Sequence, residues 1–137
     1  MSKSMWLDRT LFTSPYYYRL CLTEKDFQKE LKHLRLPKSS WGTWLATDRA
    51  GATLHRFTKS NGEMCAIICL DESAYSSLVQ RYSVLVHEAV HLWQYIREHI
   101  SEHEPSKEFE AYMIDTLSLR LMESYNEQIK MRRKKKK

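Results

Sequence analysis

The chain has 137 residues, enough for one domain with a core of its own, and a hydrophobic share of 42% with only three Gly and three Pro excludes a disordered or fibrous chain. The formal net charge of +5 excludes less than it suggests: "KMRRKKKK", residues 130–137, holds seven of the 22 Lys and Arg, and without it 15 positive groups face 17 negative ones. The expected organisation is therefore a single, slightly acidic domain over 1–129 and a solvated, disordered basic tail over 130–137, able to make weak, salt-sensitive contact with nucleic acid or another polyanion.

No apolar run approaches the roughly 18 residues of a membrane helix. The stretch "MSKSMWLDRTLF" lacks the apolar segment of a secretory signal. Three cysteines, Cys21, Cys65 and Cys69, are too few and too odd in number for a disulfide framework, which argues for a reducing, cytoplasmic setting.

Taken in chain order, "PYYYRLCL" (15–22) reads as an aromatic β-strand. Thr23 then caps a helix whose Phe27, Leu31 and Leu34 recur at helical spacing. "PKSSWGTW" breaks that helix. "ATLHRFTKSNGEMCAIICLDE" predicts a β-hairpin, with Asn61-Gly62 supplying the two left-handed positions of a type I′ turn. Its second strand, 64–70, is apolar on both faces, the mark of an interior strand. A long helix then runs from about 73–77 to about Ile100, with Leu78, Tyr82, Leu85, Ala89, Trp93, Ile96 and Ile100 on one stripe. Pro105 ends it or opens the next helix, expected over about 106–129 with Phe109, Met113, Ile114, Leu117, Leu121, Met122 and Tyr125 facing inward. The fold class that follows is α+β: a small antiparallel sheet packed on the long helix and on the C-terminal helix after it.

Within the long helix stands "VLVHEAVHLWQ" (84–94). At this composition an H-E-x-x-H match arises by chance with odds of roughly two in a hundred, so other features have to decide its meaning. Phase is one such feature. At about 100° per residue, His87 and His91 lie roughly 160–200° from the apolar stripe, where a core histidine would not be. One helical turn apart, two imidazoles can share a cation, and zinc accepts neutral imidazole while keeping a position for water. Glu88, beside the first histidine, is placed to take that water's proton as general base. A third ligand must come from elsewhere, and the candidates lie in "PSKEFEAYMID" (105–115). Glu108 shares a polar strip with Tyr112 and Asp115, whereas Glu110 falls in angle between Leu117 and Leu121. Tyr95 or Tyr112 could steady an oxyanion. His99 and His103 form a further i, i+4 pair, in a charged helix end.

"HEAVH" followed by "EFEAY" resembles the gluzincin metallopeptidases, in which H-E-x-x-H on one helix is completed by a Glu on the next. The similarity covers about residues 50–125 and is greatest to very small single-domain chains of that type, including ones encoded by bacteriophages, whose setting would be the cytoplasm of the bacterial host. It implies zinc as cofactor, His87, His91 and Glu108 as metal ligands, Glu88 as catalytic residue, a peptide or protein as substrate, and a minimal zincin-like fold whose edge strand holds substrate extended. Many of these families write the second motif E-x-x-A-[D/N], which selects Glu108, while a thermolysin-like spacing selects Glu110. Tyr112 stands where the larger families carry an Asp or Asn that supports a ligand histidine, leaving Asp115 or Glu110 for that support. The alternative function from the same residues is a metal-binding phage assembly or host-interaction protein without useful turnover.

Overall fold

The computed structural model describes residues 14–47 and 49–137; the N-terminal stretch read for a leader lies outside them. Three strands, β1 (Tyr16–Cys21), β2 (Ala52–Thr58) and β3 (Met64–Leu70), and three α-helices, α1 (Glu24–His33), α2 (Leu78–His99) and α3 (Lys107–Lys135), form an α+β fold. The sheet order is β1-β3-β2. β3, apolar on both faces, is the centre strand and is buried from Cys65 to Leu70, as its sequence predicted.

The sheet is mixed rather than antiparallel. β2 and β3 are the expected antiparallel hairpin, but β1 runs parallel to β3, with Tyr16 opposite Met64 and Cys21 opposite Cys69. A parallel pair needs a long crossover, and the segment holding α1 supplies it. Both faces of the sheet are therefore covered. On one, Phe27 and Leu31 of α1 pack with Cys21, Phe57, Cys65, Ile67 and Cys69. On the other, α2 and α3 bury Leu20, Ala66, Ile68 and Leu70 beneath Leu85, Ala89, Leu92, Trp93, Ile96, Leu117, Leu121 and Tyr125.

Local chemistry sets the boundaries. Thr23 accepts a hydrogen bond from the Asp26 amide at the start of α1, as expected of its cap position. The hairpin turn differs from a type I′ turn. Gly62 has φ 87° but Asn61 is not left-handed; the Gly62 amide bonds to the Lys59 carbonyl and the Lys59 amide to the Glu63 carbonyl. That is a three-residue loop with glycine in the left-handed position, and Asn61 instead turns its side chain to accept from the Glu63 amide.

Pro105 neither ends α2 nor opens α3. α2 stops because Ser101 takes φ 60° while the Ser101 and Glu102 amides close back on Glu98 and Arg97. Ser106, not Pro105, caps α3, accepting from the Phe109 amide. Nor does α3 end near 129. It continues through the basic run to Lys135, because Gln128 donates to the Leu20 carbonyl and Arg132 pairs with Glu72 at 2.8 Å, docking its later turns against the body. The disordered tail expected over 130–137 is thus helical for most of its length.

Candidate metal site on helix α2

α2 and α3 are antiparallel neighbours: Arg81 donates to the Tyr125 hydroxyl at one end, and Trp93 donates to Glu110 at the other. α2 lies beneath β2, where the Arg56 guanidinium sits 3.7 Å over the Tyr95 ring. The apolar stripe faces inward as predicted over Leu85, Ala89, Trp93 and Ile96, but Leu78, at the helix start, is 47% exposed.

His87 and His91 project from the outward side of α2, as their phase requires. Their Nε2 atoms face each other at 3.1 Å, one ring edge-on to the other. Two imidazole nitrogens at about 2.0–2.1 Å from one tetrahedral zinc would stand about 3.3 Å apart, so the pair needs little adjustment to hold a cation. The Nδ1 of His91 lies 3.1 Å from Gln94 Oε1. With the proton on Nδ1 donated to that oxygen, Nε2 keeps its lone pair for a metal.

Glu88, between them in sequence, turns another way. It is only 5% exposed, the one buried carboxylate among the described residues. Burial raises its pKa above the ordinary value, and the adjacent His87 and His91 partly oppose that. Its charge is felt on the β2 side of the helix, where it helps hold the Tyr75 hydroxyl protonated, after the larger effect of burial. Its position in sequence put Glu88 beside the histidines; its burial comes from residues packed over the helix, which no helical wheel includes.

The expected third ligand is not brought to the pair. Glu108 is in the first turn of α3, exposed, and makes no hydrogen bond or ion pair among the described residues. Trp93, near which α3 begins, is two residues beyond His91 along α2, so the first turn of α3 lies past the histidines rather than beside them. Glu110 is engaged elsewhere through one oxygen: its Oε2 accepts from the Trp93 indole at 2.9 Å and from Arg97 at 3.4 Å. Among the described residues no group of three or more His, Cys, Asp or Glu is gathered closely enough to hold a metal ion. The two histidines fit zinc; the third protein donor is not in place.

The other candidates separate. Tyr95 lies under Arg56, and Tyr112 is exposed on α3. Asp115 lines a groove between α2 and α3 with Val86 and Ser118. His99 packs against the edge of Tyr16 rather than with His103. No helix is long and apolar enough to cross a membrane among the described residues. Comparison with known proteins finds no matching family model, no matching curated protein and no matching solved structure.

Proposed function

We propose that this chain is a zinc-dependent metallopeptidase, with His87 and His91 as ligands, Glu88 as general base and Glu108, which has to move toward the pair when metal binds, as the third ligand. The observation that carries the reading is the geometry of one helical turn: two Nε2 atoms converging to 3.1 Å with a buried carboxylate at the intervening position. Zinc held there would supply a Lewis acid and an acidified water. The chain's own residues supply the rest. Gln94 fixes the tautomer of His91, and burial makes Glu88 a stronger proton acceptor than an exposed carboxylate, as a base working near neutral pH requires. Of the two carboxylates at the start of α3, only Glu108 is free, since Glu110 is committed to Trp93 and Arg97.

The test is metal content and hydrolysis measured on the same variants. The wild type should carry close to one equivalent of zinc, and His91→Ala should lose it. Glu88→Gln should retain zinc and lose hydrolysis of a mixed peptide library by a factor on the order of 10²–10⁴. Full metal in His91→Ala would sink the site. Zinc bound without turnover in the wild type would select the metal-binding protein over the enzyme.

A further inference from the structure

The opposite flank of the molecule carries a surface of different chemistry. β1 is the other edge of the sheet, and α3 runs beside it. Three grooves follow that edge and meet at Arg19. The first lies between β1 and α3, bordered by Tyr17, Tyr18 and Arg120; the second lies between α1 and the last turns of α3, bordered by Lys29, Arg132 and Lys135; the third follows α1 from Lys29 to His33. Tyr17, the second residue of β1, is 69% exposed, an uncovered aromatic ring.

Charge in the grooves is net positive and partly fixed in place. Arg19, Lys29, Arg120, Arg132 and Lys135 line the grooves together with Asp26 and Glu30. Glu30 pairs with Arg19 and Glu72 with Arg132, so both guanidinia are held at the wall, while Lys29, Arg120 and Lys135 make no ion pair among the described residues and outnumber the remaining Asp26. The continuation of α3 to Lys135 makes this possible: a floppy tail would hold no lysine at a set distance from α1. Arg120 is close enough to Tyr18 to favour its ionised form, against the larger opposing effect of burial.

We infer that the β1 edge, with α1 and the basic end of α3, is a binding surface for single-stranded nucleic acid. A cationic groove tracks a phosphate backbone, and an exposed aromatic ring beside it offers a stacking surface to an unpaired base, which a duplex cannot present. The surface is formed by β1, α1 and α3, and the histidine pair stands on α2, beneath β2. The inference is independent of the peptidase reading.

The experiment is fluorescence anisotropy of a labelled oligo-dT 15-mer with the full chain at about 50 mM salt, repeated in EDTA. Tyr17→Ala should weaken binding about tenfold, the scale of one lost stacking contact, and Tyr17→Phe should bind as the wild type does. Lys29→Ala and Arg120→Ala should each lower the slope of log affinity against log salt by about 0.7. EDTA should change nothing. Three results would overturn the inference: no binding at 50 mM salt; binding that falls only when 130–137 are removed, which would assign it to tail charge alone; or equal or tighter binding to duplex DNA or phosphatidylserine vesicles with no response to Tyr17→Ala. Tyr17 is exposed and the melting temperatures of its variants should match the wild type, which separates a lost contact from a lost fold.

Discussion

Glu108 and Glu110 stand two residues apart, and the structure gives them opposite tasks, so the pair of alanine variants tests both the packing and the proposed ligand set. Glu110→Ala removes the acceptor of the Trp93 indole, whose side chain is 1% exposed, and strands a buried donor at a cost of about 1–3 kcal/mol. It also breaks the 3.4 Å pair with Arg97, which is more than a third exposed on both sides and so adds at most about 1 kcal/mol. Together these come to about 1–4 kcal/mol. At roughly 4 °C per kcal/mol for a chain of this length, Tm should fall by about 4–16 °C. Glu110→Gln keeps an acceptor for the indole and should recover most of that loss. Glu108→Ala removes only an exposed charge at the positive end of α3, about 0.3–1 kcal/mol and at most about 4 °C. Zinc affinity should show the reverse order. Glu108→Ala should lose it severely, and Glu110→Ala by about 100-fold or less. Thermal unfolding and competitive zinc titration of the three variants decide the matter. Wild-type Tm in Glu110→Ala would refute the packing argument, and zinc lost from Glu110→Ala but kept by Glu108→Ala would move the ligand assignment by two residues.

Three further predictions come from the fold. Ser101 holds φ 60° at the end of α2, and Ser101→Gly should raise stability by about 0.5–1 kcal/mol, read as a Tm increase of a few degrees. The Ser118 hydroxyl is buried with no hydrogen-bond partner among the described residues, so Ser118→Ala should be neutral or stabilising by up to about 1 kcal/mol; a clear loss in denaturant titration would show that the hydroxyl is satisfied. All three cysteines are buried, and burial pushes the Cys21 thiol up to about 11 and Cys69 higher still, so neither forms thiolate at pH 8. A disulfide reagent at that pH should titrate no thiol rapidly in the native protein and three in denaturant; fast labelling of Cys21 would contradict its burial.

What could be read from the sequence was what short range determines. The cap at Thr23, the hairpin between Ala52 and Leu70, the interior character of β3 and the outward phase of His87 and His91 each depend on residues a few positions apart. The inward direction of Glu110 was legible for the same reason, from its angle relative to Leu117 and Leu121. What escaped depends on docking. The direction of β1 is set by a crossover, not by its alternation of side chains, and the burial of Glu88 by what lies over it. The helicity of 130–135 escaped because like charges in sequence read as a solvated run, whereas Gln128 and Arg132 find partners 108 and 60 residues away. The position of Glu108 relative to the histidines depends on how far α3 slides along α2, a quantity no periodicity contains.

The parallel pairing of β1 has a consequence for how the chain is made. Tyr16 finds its neighbour at Met64, 48 positions later, after both α1 and β2 have been made. At ribosomal speeds of about 5–20 residues per second, the aromatic strand waits roughly 2–10 seconds after emerging before β3 exists to receive it. During that time Tyr16, Tyr17, Tyr18 and Leu20 have only α1 for company, and both edges of the strand are open. The β2–β3 hairpin meets no such delay, since its strands are joined by a few residues. β1 therefore lacks its sheet partner from its release until β3 is made, and its Leu20 face stays uncovered until α2 and α3 follow.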